Sequence, residues 1–172
     1  MGTHIEQVTA KVRGKAKVAK GAIEGLSGIF ITLMEEHGQV TALLNRLKGS
    51  TDVALRRELW PQLRAELLAH EMGELLVLYP VYRAHPEIRH IAEAHEREAS
   101  KLQPLVEEIN ALGVEHAQWP DRFAALVQLV HDHVRDEEVD SFREGNRVFG
   151  SQNQALDEQY KRIKARGHAE LI

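Results

Sequence analysis

Four long stretches of the sequence repeat apolar residues with a period near 3.6, the spacing of one helix face, and β-branched alternation is absent. The breaks between them are sparse. Lys48-Gly49-Ser50-Thr51-Asp52 reads as a turn with Asp52 as helix cap. His85-Pro86 reads as a second break, because a proline pushes the residue before it out of the helical region. Leu112-Gly113 to Trp119-Pro120 reads as a third. Helices are therefore expected over 26–48, 53–84, 87–111 and 119–148. Connections this short favour antiparallel neighbours, hence an all-α, up-down-up-down four-helix bundle spanning 26–148.

Two flanks remain. Residues 1–25 carry Lys11, Arg13, Lys15, Lys17 and Lys20 against Glu6 and Glu24. This segment reads as a short basic arm. A solvated or partly helical tail is preferred over an arm that touches membrane or nucleic acid. Residues 149–172 hold a further short amphipathic helix over 151–167, with Ala155, Leu156, Tyr160 and Ile163 as its expected buried side.

The 172 residues suffice for one domain with a full core, and 43% hydrophobic with 28% charged residues is ordinary for a soluble protein. A formal net charge of −4 argues against general nucleic-acid binding. With no cysteine, thiolate metal sites and iron–sulfur clusters are excluded. No apolar run is long enough to span a bilayer, and Met1 to Lys20 lacks the apolar core of a secretory signal. A cytoplasmic protein is the expectation.

Ten histidines are the compositional anomaly, and several fall on core stripes. Leu26, Ile29, Phe30, Leu33, Val40, Leu44 and Leu47 form the first stripe, with His37 in its middle. His70 and Glu74 fall within Leu59, Leu63, Val77 and Val81. His95 sits on Ile88, Ile91, Leu102, Val106 and Ile109, and His133 and Glu137 on or near Phe123, Leu126, Val130 and Val134. All lie near mid-helix, so an antiparallel bundle brings them to one layer. A single histidine on an apolar face is usually a satisfied core residue. Four at one depth, with carboxylates at i+4, are hard to satisfy by hydrogen bonds alone, since an unpaired buried ion costs several kcal/mol. Metal ions resolve the conflict. Imidazole and carboxylate without sulfur suit iron, manganese or zinc, and two carboxylates placed to bridge favour a dinuclear site.

Competing motifs fail. His70-Glu71-Met72-Gly73-Glu74 is not the His-Glu-x-x-His of zinc proteases. Glu87-x-x-His90 has ferritin-like spacing, but His90 points off its stripe. His131 lies about 100° from the stripe centre and is expected to be a bystander. His4, His85, His116 and His168 fall in turns, loops or tails and are read as structural or solvent-facing.

In order along the chain, His37, His70 with Glu74, His95, and His133 with Glu137-Glu138 resemble the hemerythrin-like family, also called the HHE cation-binding domain. Leu78-Tyr79-Pro80 adds to the likeness. It runs from about Leu26 to about Phe142. The resemblance implies a non-haem centre of two irons per chain. It also brings in Glu138, five residues after His133, beside the Glu137 that periodicity prefers; both stand as candidates. Oxygen carriers of the family place a histidine four residues after the one on the third helix, and this chain has Ala99 there. Glu98, Glu71 or water is then expected to complete the site. The resemblance implies binding of oxygen, nitric oxide or peroxide, in sensing or iron handling, by a monomer or weak homo-oligomer with no membrane or nucleic-acid partner. The alternatives are a di-iron oxidase or peroxidase, with Tyr79 or Tyr82 as electron relay, and a metal-free helical interaction module.

Overall fold

The computed structural model describes residues 2–171, and side chains from residue 9 onward; the side chain of His4 lies outside the described residues. Every regular element among them is helical. Helices α1 (Gly2–Ile23), α2 (Ile29–Lys48) and α3 (Val53–Gly73) come first. A π-helical turn, Glu74–Leu78, carries α3 into α4 (Tyr79–Ala84). Helices α5 (Arg89–Leu112) and α6 (Trp119–Asp136) come next, and a second π turn, Glu137–Ser141, leads into α7 (Phe142–Phe149). A 3₁₀ turn connects to α8 (Asn153–Leu171).

The breaks have local causes. Asp52 caps α3, its carboxylate accepting from the backbone N–H of Ala54 at 2.8 Å and of Leu55 at 3.3 Å. Gly113 ends α5 at φ 77°, a conformation that costs glycine little, and Pro120 opens the first turn of α6, where no N–H is needed. The π turns were not expected from the sequence, which predicts unbroken helices there. Pro80 offers no N–H to the preceding turn, and the N–H of Tyr79 reaches back five residues to the carbonyl of Glu74. The N–H of Phe142 bonds the carbonyl of Glu137 in the same way.

The core has two apolar ends. One gathers Leu44 and Leu47 of α2, Leu55 and Leu59 of α3, Val106 and Ile109 of α5, and Phe123 and Leu126 of α6. The other gathers Ile29 and Phe30 of α2, Leu78 and Tyr82, Ile88 and Ile91, and Phe142 and Phe149. His37, His70, Glu74, His95, His133 and Glu137 occupy the sequence between these sets, so a polar layer lies between two hydrophobic ones.

The flanks refine two expectations. The basic segment is helical, one of the two forms expected for it, and it docks along α2 rather than standing in solvent. It packs through Ala10, Gly14 and Gly21, which are buried, while Lys11, Arg13, Lys15 and Lys20 remain exposed. Gly14 and Gly38 permit the close crossing: a Cβ on Gly38 would lie 2.7 Å from the Arg13 carbonyl oxygen. The final helix begins at Asn153 and packs on α3 and α2. Ala155 is exposed; the inward row is Asn153, Leu156, Asp157, Tyr160 and Gly167, with Ile163 half-buried. Gly73 admits the Tyr160 ring, which a Cβ there would meet at 2.5 Å. His168 pairs with Glu66 of α3 at 3.1 Å, so it helps dock α8.

Gly38→Leu is expected to destabilise the protein by about 1–3 kcal/mol, because the clash is with backbone that cannot yield. Gly49→Ala, where nothing lies within 4 Å of the added Cβ and φ is −89°, is expected to be neutral or stabilising by about 0.4–1 kcal/mol. Urea denaturation of both variants checks the contrast.

Candidate metal centre

Four helical segments each deliver imidazole or carboxylate groups to the layer. His37 on α2, His70 at the end of α3, Glu74 at the first residue of the π turn and Glu137 at the first residue of the other form one buried group whose donor atoms lie within 4.8 Å of one another. His95 and Glu98 on α5 with His133 on α6 form a second group, and Glu71, Glu74 and His133 a third that overlaps it. A π turn swings the residues after it by about one residue's rotation, which re-aims side chains at the point where it starts.

Glu74 connects the groups. Its Oε1 faces His70 Nε2 at 3.3 Å and its Oε2 faces His133 Nε2 at 3.5 Å. Glu137 Oε2 stands 3.2 Å from His37 Nε2 and 3.4 Å from His133 Nε2. Two donors bound to one ion at about 2.1 Å sit about 3.0 Å apart at right angles and about 3.4 Å apart at tetrahedral angles, so these spacings match shared coordination. They are poorly aligned as hydrogen bonds. His37 Nε2, Glu71 Oε1, Glu74 Oε1, His95 Nδ1, His133 Nε2 and Glu137 Oε2 are buried with no hydrogen-bond partner. A native core tolerates few such atoms. Six of them in these groups are a donor set that fits divalent cations bound by nitrogen and oxygen.

The electrostatics of the metal-free side chains carry the same conflict. Burial opposes the charged form of Glu74, yet His70 and His133 hold its carboxyl well below the usual carboxylate range. Burial likewise opposes the charged form of His70, but Glu74 and Glu36 outweigh it and push that imidazole up to about 10. His133 is raised too, with burial overcome by Glu137, Glu74 and Glu98. Glu71, desolvated and facing Glu74, is raised to about 8. The charged forms of His70 and His133 are thus favoured by the same carboxylates that a cation would balance.

Around the layer, Tyr79 is fully buried and its hydroxyl donates to Glu74 Oε2 at 3.0 Å, with Glu137 Oε1 at 3.5 Å. Tyr82 instead donates to the Ser141 carbonyl at 2.6 Å and does not reach the carboxylates. Ala99 lines a small cavity with His37, His70, Glu71, Glu98 and His133, walled otherwise by Val40, Leu67, Leu102 and neighbours on α6. Its volume is about 30 Å³, above the roughly 10–15 Å³ one water needs on the same measure.

The structure separates the two helix-four acids. Glu137 lies in the layer, whereas Glu138 stands behind His37, accepting from Nδ1 at 3.0 Å, and belongs to none of the three groups. His131 is half-buried and in no group either; His90 is exposed, and the His116 Nδ1 accepts from the Gln118 backbone in a loop. Sequence reasoning missed Glu36, whose Oε2 accepts from His70 Nδ1 at 2.8 Å, and Tyr160, whose hydroxyl donates to the same oxygen at 2.7 Å. Glu36 was findable: it falls seven residues after Ile29 and seven before Leu43, on a row that is otherwise buried. Neither Tyr160 nor Lys164, whose ammonium pairs with Glu36 at 2.9 Å, could be read from the sequence, because nothing in the chain's pattern says which neighbour α8 meets.

Buried imidazoles and carboxylates on four helical segments define a cation-binding helical protein. The hemerythrin HHE cation-binding domain matches residues 29–143, and the chain belongs to that family. A DNA nickase of Nostoc sp. (strain PCC 7120 / SAG 25.82 / UTEX 2576) is 30% identical over 150 residues, covering 87% of this chain. The chain spans only 42% of that relative's length. No solved structure matches.

His133→Ala, which removes a donor shared by two groups, is expected to abolish most metal uptake, and His131→Ala to preserve it. Elemental analysis of both proteins after loading checks the helix register.

Proposed function

We propose that this chain is a non-haem di-iron protein that holds two iron ions and binds a small ligand such as oxygen, nitric oxide or peroxide. One observation carries the reading: Glu74 turns one oxygen to each of two imidazole sets, amid buried donor atoms that lack any other partner. His37, His70, Glu74 and Glu137 would hold one ion. His95 and His133 would hold the other with Glu74, Glu137 and Glu71, while Glu98 stands behind His133 at Nδ1. Iron held there would supply exchangeable coordination positions and electrons for binding or reducing the small ligand. The chain's own residues do the rest. Tyr79 fixes Glu74 by donating to it, and the apolar wall of the cavity limits water beside Ala99. The alternation of residues in the two apolar ends supports the up-down-up-down reading of the bundle. No described helix is long and apolar enough to cross a membrane, and the reading takes the protein as cytoplasmic, monomeric or weakly self-associating, with no nucleic-acid partner.

A second reading draws on the DNA nickase relative. In it the same ions would serve phosphodiester cleavage, and the exposed Lys11, Arg13 and Lys15 of α1 would meet the DNA backbone. Conversion of supercoiled plasmid to open circles by the metal-loaded protein, lost in Glu74→Gln, would favour it. Catalytic turnover of peroxide or ferrous ion would instead favour the oxidase alternative.

Anaerobic loading is expected to place close to two irons on each chain by elemental analysis, and the loaded protein should melt above the chelator-treated one. A ligand at 100 times its Kd stabilises a fold by about 2.7 kcal/mol, so the shift is measurable. One tightly held zinc with no iron uptake, or equal melting temperatures, would reject the reading.

Ala99 gives a sharper test. A methyl group cannot ligate, so the ferrous protein is expected to oxidise in air in one rapid phase, and its oxidised form to bind azide. Ala99→His, which supplies an imidazole into the cavity, should slow that oxidation in stopped-flow absorbance.

A further inference from the structure

The two halves of the layer differ in what stands behind them. His37 turns Nδ1 outward to Glu138 Oε1 at 3.0 Å, and His70 turns Nδ1 outward to Glu36 Oε2 at 2.8 Å. Each of these carboxylates is backed by lysine from a flanking helix. Lys17 of α1 pairs with Glu138, and Lys20 lies 3.8 Å from its other oxygen. Lys164 of α8 pairs with Glu36 at 2.9 Å, and Tyr160 of the same helix donates to Glu36 at 2.7 Å. Both acids are largely covered, at 9% and 14% side-chain exposure, so the lysines offset a charge that burial would otherwise make costly.

The other half is built differently. His133 Nδ1 faces Glu98 at 3.4 Å, and Glu98 is 31% exposed. His95 is held by the Ser141 hydroxyl at 2.9 Å, a neutral partner. Among the described residues no lysine or arginine pairs with Glu98.

We propose that α1 and α8 act as a two-sided clamp that makes the His37–His70 half the high-affinity metal position. Glu138 and Glu36 are its positioning residues, held in place by Lys17, Lys164 and Tyr160. A carboxylate that accepts Nδ1–H fixes the imidazole tautomer, leaves the Nε2 lone pair facing inward and raises ligand basicity. His37 and His70 therefore bind the first ion, with Glu74 and Glu137, and the His95–His133 half binds the second more weakly and exchanges it faster. Both helices lie outside the residues that match the family, 29–143, so the clamp is carried by this chain's own flanks. The inference rests on the proposed metal binding.

The test is an anaerobic titration of the full chain with cobalt(II), monitored by its visible spectrum and by competition with a chromophoric chelator. The unmodified protein should fill in two resolved steps. Glu36→Gln and Glu138→Gln should each weaken the first step by roughly 10–100-fold, shift the spectrum of the first equivalent, and leave that of the second unchanged. Lys17→Met and Lys164→Met should weaken the same step by a smaller factor, with the fold checked by circular dichroism because Lys164 also pairs with Glu66 at 2.9 Å. Tyr160→Phe should do likewise, and Lys161→Ala, which among the described residues pairs with Asp157 alone, should have no effect. Equal affinity for both ions in the unmodified protein, or first-step affinities within twofold across the Glu and Lys variants, would overturn the clamp. Failure of the unmodified protein to take up any metal would overturn the metal-binding reading itself.

Discussion

Charge buried between two hydrophobic ends is the constraint on which this structure turns. Glu71, Glu74 and Glu137 are almost wholly covered, and His37, His70 and His95 with them. Each would cost several kcal/mol if buried unpaired. The bundle keeps them because they compensate one another: Glu74 lies between His70 and His133, and Glu137 between His37 and His133. The compensation is incomplete, since the inward-facing atoms do not align as hydrogen bonds. A polar layer of this kind adds little to folding stability. Its donor atoms suit cations, and the apolar ends supply the stability that lets the layer persist.

The two π turns belong to the same arrangement. They begin at Glu74 and Glu137, the two carboxylates that face both imidazole sets. An α-helix puts i and i+4 on one face, which brings His70 over Glu74 and His133 over Glu137. The wider turn then shifts the register of the next helical residues, so Tyr79 arrives beneath Glu74 and Ser141 beside His95. Leu75, Leu76 and Val139, inside these turns, lie on the outer surface.

The family match covers the central helices, and the flanking helices are where this chain adds to it. Both approach through glycines: α1 crosses α2 at Gly14 and Gly38, and α8 seats Tyr160 against Gly73. Close backbone approach is what allows Lys17, Tyr160 and Lys164 to reach acids behind the histidines. The likeness to a DNA nickase bears on less than half of that protein, so the chemistry has to be argued from the layer itself.

The sequence by itself determined that the chain is helical, where the breaks at Asp52, Pro86 and Gly113 fall, and that His37, His70, Glu74, His95, His133 and Glu137 turn inward. Those are consequences of local backbone chemistry and of a 3.6-residue period, both readable without knowing any neighbour. Only the tertiary structure decided the rest. It folded the basic flank into a docked helix, exposed Ala155, and divided the Glu137-Glu138 pair between the layer and the shell behind His37. It also recruited Glu36, Tyr160 and Lys164. A π turn depends on packing and on bonds five residues apart, and a partner for a buried acid depends on which helix comes alongside. Neither leaves a periodic trace in the sequence, because periodicity records which face a residue takes and not what that face meets.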